Sequence, residues 1–453
     1  MKYIVSQITE KINASIKNNV NIFDGTSGWE ASYTTITADA IRQAFIVALT
    51  QADEAFFHSN QRKRDYYAKD TVERTLTTTF GLLSFKRRRY THKRYNTTYY
   101  FVDDMLGLHR YQRISNDAKS AILYDITKLK LSYEASCDKF GLSKTFAYKL
   151  IQSINPSAYS PSLKEKISCD YLHVVADEDH VAVQDKSNPR QWNKHNSHML
   201  NHVTLYTNLI KVGKRRNKLE NRVTFSQFED ETIIAFWDRI NTFIYENYDI
   251  KHGNNGIFIY GDGAGWIKTL ADELGTTFIL DQFHALQALF KVCGGKNNTD
   301  IRNILQGYMR ADMKTEFFQL VTALNPDMSE SKQKQVNYLK NNWNFYQNNF
   351  KIPQALVCCA EGINSHYFAS RLSSRPKGFC ISNIHKLGAL LSIACTHDNM
   401  KQFFTENLPQ LTKKKAPKST VRNFSKYLND FTFVPIIANK KSGTSTLVHS
   451  LIS

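Results

Sequence analysis

The chain has 453 residues, of which 59 are Lys or Arg and 41 are Asp or Glu, giving a formal net charge of +18. This length predicts two or three domains. A cationic excess of this size disfavours a cationic partner and favours a polyanion, usually nucleic acid, although a basic solvated surface would give the same total. The seven cysteines are odd in number and scattered, which is the pattern of reduced core thiols rather than of a disulfide framework.

No apolar stretch approaches the roughly 20 residues that a membrane-spanning helix needs. The N-terminal residues also lack the apolar region of a secretion signal. We therefore expect a soluble, cytoplasmic protein without a membrane partner.

The first region, residues 1–112, begins with helical periodicity. Ile8, Ile12 and Ile16 recur at helical spacing, and a second apolar stripe follows within Thr37–Ala52. These patterns predict at least two helices before the apolar period changes.

A small basic β-sheet is predicted from about residue 73 to residue 104. Thr75–Tyr90 is rich in β-branched and aromatic residues with a glycine at its bend, and Tyr99–Val102 predicts a further strand. Arginines with tyrosines close by combine charge with flat aromatic faces, as nucleic-acid-binding surfaces do. The DNA contacts predicted in this sheet are Arg87, Arg88 and Arg89.

Residues 113–160 are predicted to hold a helix-turn-helix and a linker. A short helix precedes Gly141, and a second helix has Ser143 as its N-cap. An ordinary helical hairpin has the same pattern, but the cationic context favours a motif whose second helix enters a DNA major groove. The contacts predicted on the exposed face of that helix are Lys144, Thr145, Tyr148 and Lys149, with Gln152 beside them.

Residues 161–400 alternate between strand and helix patterns, which is typical of a mixed α/β sheet with helices packed against it. The stretch from about 298 to 350 has apolar residues at helical spacing only and predicts a helical insertion. The basic tail, residues 401–453, gives no clear pattern. The predicted elements are strands at 170–184, 199–212, 256–260 and 276–280, and helices at 230–247, 266–274 and 283–292.

Four acidic residues close apolar runs in this α/β region, namely Asp177, Asp262, Asp281 and Glu361. A carboxylate at the buried end of a strand is poorly solvated, so its ionised form has a high free energy. A neighbouring cation lowers that free energy most effectively. Several strand ends in one sheet converge, so the pattern predicts a divalent-metal site. An all-oxygen site that keeps water ligands suits Mg²⁺, and two such ions about 4 Å apart serve phosphoryl transfer.

The chain resembles bacterial insertion-sequence transposases of the Lre-type group, which are related to Mutator-like DDE transposases. The resemblance covers roughly residues 1–400. Two further segments are also similar in sequence to that family: Glu73–Gly81 and Arg371–Phe379. The strongest likeness is in four strings: Ala176–Val181, Gly261–Lys268, Leu280–His284 and Ala360–His366.

The resemblance implies a ribonuclease-H-like α/β catalytic core with an α-helical insertion before the last acid. It makes Asp177, Asp262 and Glu361 the catalytic metal ligands, holding Mg²⁺ or Mn²⁺ as two ions. It gives Asp281 and His284 a supporting role in positioning DNA or ordering the site, with a purely structural hydrogen bond by His284 as the alternative.

The same resemblance implies a bacterial enzyme of the nucleoid. Its substrates would be double-stranded DNA at the terminal inverted repeats of an insertion sequence and a target DNA. Because two element ends must be brought together, it would work as a homodimer or a higher oligomer on DNA.

Two positions leave alternatives for the metal ligands. Asp179 lies two residues after Asp177, on the same strand face if the strand continues, and Asp177 is preferred because it closes the apolar run. Glu273 is a rival for the last acid but would lie deep in a helix. A zinc site can also be drawn, without a CxxC pair to support it, from Cys358, Cys359, Cys380, Cys395, His366 and His385.

Two other functions fit parts of the sequence. A DNA-binding regulator derived from such an element would bind DNA through residues 62–153 and have a catalytically inactive core. The presence of all three acids argues against this function. A stand-alone nuclease with the same core would cut DNA without joining it.

Overall fold

The computed structural model describes residues 10, 29–156, 161, 163, 165–184, 197–214, 216–294, 298–374, 378–397 and 399–411. The chain divides into two compact units, residues 1–113 with 416–453, and residues 114–415. The predicted stripe at Ile8, Ile12 and Ile16 lies outside the described residues, as do most of the predicted linker and most of the tail.

The first unit packs a long helix against an antiparallel hairpin. Aromatic side chains fill its core, where the ring of Phe56 stacks on Phe101 at 4.2 Å and meets Tyr90 edge-on at 5.1 Å. The hairpin turns at Gly81, whose φ of +105° is readily adopted only by glycine. The elements are α1 (Trp29–His58), α2 (Asn60–Asp65), β1 (Tyr66–Thr78), β2 (Gly81–His92), β3 (Thr98–Tyr99) and α3 (Phe101–Met105).

The predicted strand at Tyr99–Val102 was wrong beyond its first residue. β3 ends at Tyr99, and Phe101 and Val102 are buried in the first turn of α3. Asp103 and Asp104 follow at once, and acidic residues in a first turn favour a helix through its dipole.

The second unit is built on a five-stranded mixed sheet with helices on both faces. Its strands lie in the order β12-β11-β5-β6-β9. β6 is antiparallel to both β5 and β9, whereas β11 is parallel to both β5 and β12. The strands of the unit are β4 (Ile167–Cys169), β5 (Leu172–Ala182), β6 (Ser197–Tyr206), β7 (Asn208–Gly213), β8 (Arg216–Glu220), β9 (Val223–Ser226), β10 (Tyr248–Ile250), β11 (Ile257–Gly261) and β12 (Thr277–Leu280).

The helices of the second unit follow the predicted alternation closely. Each predicted helix between residues 230 and 292 is present within three residues of its predicted ends. The helices are α4 (Asn116–Thr127), α5 (Tyr133–Asp138), α6 (Lys144–Ser153), α7 (Ile233–Asn247), α8 (Gly265–Glu273), α9 (Gln282–Val292), α10 (Thr299–Arg310), α11 (Lys314–Leu324), α12 (Glu330–Lys351), α13 (Ala360–Ile363), α14 (Ser370–Leu372), α15 (Ile381–Thr396) and α16 (Met400–Leu411), and short 3₁₀ and π segments cover Gly253–Gly256 and Asn364–Ala369.

The two faces of β5 belong to two hydrophobic cores because side chains alternate along a strand. Leu172, Val174 and Ala176 pack in one core with α7, α8, α9 and the helices of the insertion. Val175 and Val181 pack in the other with α4, α6 and α15. Asp177 follows on the Val175 face.

Helices α10, α11 and α12 occupy the stretch for which the sequence predicted a helical insertion. The last of them covers the edge strand β12. The side-chain amides of Asn348 and Asn349 donate to the carbonyl oxygens of Phe278 and Leu280 at 2.7 and 2.9 Å. These bonds satisfy edge carbonyls that would otherwise lack a strand partner.

Helices α4 to α6 belong to the same compact unit as the sheet, and here the structure differs from the separate 113–160 region that the sequence predicted. Ile122, Ile126 and Ile151 are fully buried in the core that contains Val175 and Leu390. The tail from residue 401 has no clear sequence pattern, but the structure has helix α16 there, which extends to Leu411 and buries Phe404. Within the described part of the chain, no helix is both long and apolar enough to cross a bilayer.

Candidate metal site and DNA-facing residues

Asp177 lies in the middle of β5 rather than at its end, and it is 7% exposed. One oxygen, Oδ1, accepts the backbone N–H of Glu178 at 2.9 Å. The other, Oδ2, is buried and has no hydrogen-bond partner among the described residues. A buried carboxylate oxygen without a donor is costly unless a cation takes that place.

The pKa of Asp177 shows which other acids lie near it. Burial raises this pKa to about 7, the Glu178 N–H lowers it, and the charges of Asp262, Glu361 and Asp281 raise it further. Asp262, Glu361 and Asp281, from three other segments of the chain, therefore lie within electrostatic range of Asp177. Ionising Asp177 without a cation is opposed both by burial and by like charges.

Asp262 follows β11 directly, and it reaches this point because β11 runs parallel to β5. Its Oδ1 accepts the N–H of Ala264 at 2.8 Å, and its backbone carbonyl accepts the Tyr338 hydroxyl of the insertion at 2.5 Å. Gly263 next to it has φ of +91°, and a Cβ there would lie 2.8 Å from Asn342 Oδ1. The turn after β11 therefore depends on glycine.

Asp281 follows β12 and caps α9 by accepting the N–H of Phe283 at 3.0 Å. Burial raises its pKa, while His284 and the thiol of Cys358, which donates to Asp281, lower it. One carboxylate oxygen is thus used in the helix cap, which suits the supporting role predicted for Asp281 with His284.

Glu361 differs from its prediction in backbone setting. The apolar run before it is not a strand: residues 352–359 are irregular, and Glu361 is exposed in the first turn of α13. The sheet edge that such a strand would need, β12, is covered by the asparagines of α12. A π-helix at Asn364–Ala369 follows, a rare conformation that is frequent at functional sites and that nothing in the sequence indicated.

The segment after Glu361 is held from two sides. Asn364 donates to the carbonyl oxygen of Glu178 on β5 at 3.1 Å, and Phe368 stacks on His202 at 4.1 Å. From the end of α4, Lys130 Nζ donates to the carbonyl oxygen of Tyr367 at 2.9 Å, and burial lowers the pKa of Lys130 to about 7. The residues that follow α4 therefore contact the segment that follows Glu361.

The two rival acids differ in their settings. Asp179 shares the face of Asp177, and its Oδ1 accepts the Ser373 hydroxyl at 2.6 Å. Its Oδ2, like that of Asp177, is buried and has no hydrogen-bond partner among the described residues. Burial raises the pKa of Asp179, and Ser373 and His180 lower it. Glu273 is exposed at the last residue of α8. Asp179 therefore stays the alternative to Asp177, whose pKa responds to the other acids.

The donor set fits a hard divalent cation. The acids supply only oxygen atoms, and Asp177 Oδ2 is buried without a donor. In the described part of the chain, no three His, Cys, Asp or Glu side chains already stand as a metal-binding group. Glu361 is the exposed member of this set. The seven cysteines, including those of the alternative zinc site, are free thiols.

The predicted DNA contacts in β2 were wrong for Arg87. This side chain is buried, ion-paired with Asp103 and stacked over Tyr100 at 3.8 Å, and burial lowers its pKa to about 10. The alternation of the strand turns it into the core of the first unit.

Arg88 and Arg89 are half-buried and paired with carboxylates. Arg88 contacts Asp53 at 3.3 Å and also Glu54, while Arg89 Nε donates to Asp70 across the hairpin at 2.7 Å. All three arginines of this string therefore make contacts within the first unit.

Helix α6 presents the predicted DNA-reading residues together. Ser143 is its N-cap, and Gly141 makes the turn before it with φ of +63°. Ala147, Leu150 and Ile151 are buried on the opposite face. Gln152 instead bonds to Asn383 and accepts from Lys386. Four residues are exposed on the outer face: Lys144, Thr145, Tyr148 and Lys149.

This architecture and its acidic cluster define a basic α/β protein with a candidate divalent-metal site. A family model described as "Uncharacterised protein family (UPF0236)" matches residues 28–398, and the chain belongs to that family.

Two curated relatives come from Caldanaerobacter subterraneus subsp. tengcongensis. One is 27% identical over 374 residues, covering 80% of this chain and 76% of the relative, and its name joins eleven locus designations of the UPF0236 protein. The other, UPF0236 protein TTE2489, is 28% identical over 348 residues, covering 75% and 72%.

Proposed function

We propose that this protein is a DDE-type DNA transposase that cuts and joins double-stranded DNA at the terminal inverted repeats of a bacterial insertion sequence. The observation that carries the proposal is a buried oxygen of Asp177 that lacks a donor among the described residues, on a carboxylate within electrostatic range of Asp262, Glu361 and Asp281. Such a constellation suits Mg²⁺-dependent phosphoryl transfer.

The surrounding architecture supports the same proposal. A mixed sheet with helices on both faces, and three helices between Asp281 and Glu361, are the features expected of a ribonuclease-H-like core with an insertion. The exposed face of α6 offers two lysines, a threonine and a tyrosine to a DNA groove.

The relative whose name joins eleven loci adds support of a different kind. One protein encoded at many places in a genome is what an element that copies itself produces. A stand-alone nuclease gives no reason for such multiplicity.

Each acid has a distinct task in the proposed reaction. Asp177, Asp262 and Glu361 would hold one or two Mg²⁺ ions, which when bound activate the attacking hydroxyl and neutralise charge on the leaving oxygen. Asp281 fixes the start of α9 and thereby the position of His284. The two nucleophiles would be water and then a DNA 3′ hydroxyl, so no covalent enzyme intermediate is required.

A transposition assay in bacterial cells tests the proposal. A selectable marker is placed between the inverted repeats that flank the gene, and the protein is supplied from a separate plasmid. We expect marker insertions with short target duplications, and at least a 100-fold loss with Asp177→Asn, Asp262→Asn or Glu361→Gln.

Glu273→Gln is the matched control, because it neutralises an exposed acid outside the cluster. It should transpose at the wild-type frequency. Retention of transposition by the cluster variants would overturn the proposal.

A further inference from the structure

A two-stranded ribbon stands outside the five-stranded sheet. Among the described strands, β7 and β8 pair with each other alone, and in sequence they lie between β6 and β9. Leu209 and Leu219 face each other at the base and pack against the core that contains Val175. Beyond this pair the register continues through Ile210↔Lys218 and Lys211↔Asn217.

The ribbon is exposed and cationic. Ile210 is 42% and Val212 54% exposed, and Lys211 and Lys214 are exposed as well. In sequence, residues 211–222 contain six cations and one acid, a net charge of 6 − 1 = +5, contributed by Lys211, Lys214, Arg215, Arg216, Lys218, Arg222 and Glu220.

An isolated hairpin with exposed β-branched residues is only marginally stable in water and has open edges. Its charge makes a polyanion the complementary partner. A two-stranded ribbon fits the major groove of DNA, which is about 12 Å wide, and exposed aliphatic residues make apolar contacts with base edges.

We propose that the β7–β8 ribbon is a second DNA-binding element of the catalytic unit, distinct from α6, which contacts duplex DNA flanking the cleaved bond. This inference rests on the proposed function for its substrate. It assigns Lys211 and Lys214 to phosphates and Ile210 and Val212 to the groove.

The sheet register locates the ribbon relative to Asp177. Asp177 pairs with His202 on β6, and the ribbon begins six residues later at Asn208. At about 3.4 Å per residue this is roughly 20 Å along the strand. Tyr206 pairs with His173 near the start of β5, so the ribbon leaves the sheet at the end opposite to the one where Asp262 follows β11. The contact is therefore expected on duplex DNA away from the base pairs next to the cleaved bond.

The test is the salt dependence of duplex DNA affinity, measured with the full chain in EDTA so that no cutting occurs. Lys211→Gln/Lys214→Gln should reduce the magnitude of the slope of log K against log salt by about 1.8, since each phosphate contact contributes about 0.9. Footprinting should show lost protection on the flanking duplex and unchanged protection of the base pairs next to the cut site.

Lys334→Gln/Lys340→Gln on α12 removes the same charge from exposed positions and is the matched control. A slope for the ribbon variant equal to that of wild type or of the control would overturn the inference. A second variant, Ile210→Ser/Val212→Ser, gives another such test. If it keeps the wild-type DNA affinity but changes the oligomeric state, the inference is overturned, because the ribbon would then pair with a second copy of the chain.

The two proposals fail in distinguishable ways. If wild-type protein binds duplex DNA through the ribbon but never cuts or joins element ends, the proposed function fails and the ribbon inference stands. If it transposes while the ribbon variant keeps its slope, only the ribbon inference fails.

Discussion

Asp177 is the residue on which the account depends most. It is buried, one of its oxygens lacks a donor, and three other acids act on it. A buried carboxylate placed against like charges destabilises the fold in its ionised form, and a divalent cation is the compensating group that we propose.

Stability should therefore depend on pH through Asp177. Its folded-state pKa of about 7 exceeds the ordinary value of 3.8, so between these values the folded protein holds a proton that the unfolded chain has lost. The stabilisation is complete below about pH 4 and is lost as pH rises through 7, by up to about 4 kcal/mol. In urea denaturation with EDTA, Asp177→Asn should be more stable than wild type at pH 8 and similar to it at pH 4.

Asp272→Asn, which changes an exposed acid of α8, should show no such pH-dependent gain. An Asp177→Asn variant that is equally stable or less stable than wild type at pH 8 would show that the site does not strain this carboxylate.

At the scale of elements, the turn from β11 into α8 positions Asp262. Gly263→Ala should destabilise the protein by about 1–3 kcal/mol in chemical denaturation, because the backbone has φ of +91° and the new Cβ would meet Asn342. Gly265→Ala is the control, since it begins the helix and nothing lies within 4 Å of its Cβ position. Equal stabilities for the two variants would contradict the role given to Gly263.

Much of the second unit could be predicted because its elements have strong local patterns. Strands β5, β11 and β12 are apolar runs bounded by acids or glycines, and α10 to α12 have apolar residues at helical spacing. The fold type and the roles of Asp177, Asp262 and Glu361 remain predictions from the resemblance.

The errors came from features that only the tertiary structure decides. The run before Glu361 is as apolar as a strand, but α12 covers the sheet edge that it would join. Arg87 lies in a basic string, yet the pleat of β2 turns it toward Asp103. The π-helix after Glu361 is held by hydrogen bonds from Asn364 and Lys130, which join residues far apart in the sequence, and no local sequence pattern predicts it.

At the scale of the whole molecule, the basic residues of the two units differ in their surroundings. Arg87, Arg88 and Arg89 of β2 form ion pairs within the first unit. The exposed cations of α6 and of the β7–β8 ribbon lie on the unit that contains the acids. The net charge of +18 should make DNA affinity fall steeply with salt. An affinity that is flat between about 50 and 200 mM salt would contradict a phosphate-directed interface.

The most direct measurement is strand transfer by the purified full-length protein on DNA that carries the element's ends, with a second duplex as target. The account predicts joined products in Mg²⁺, none in EDTA, and none with Asp177→Asn despite wild-type DNA affinity. Full strand transfer by Asp177→Asn, or by wild type in EDTA, would contradict it.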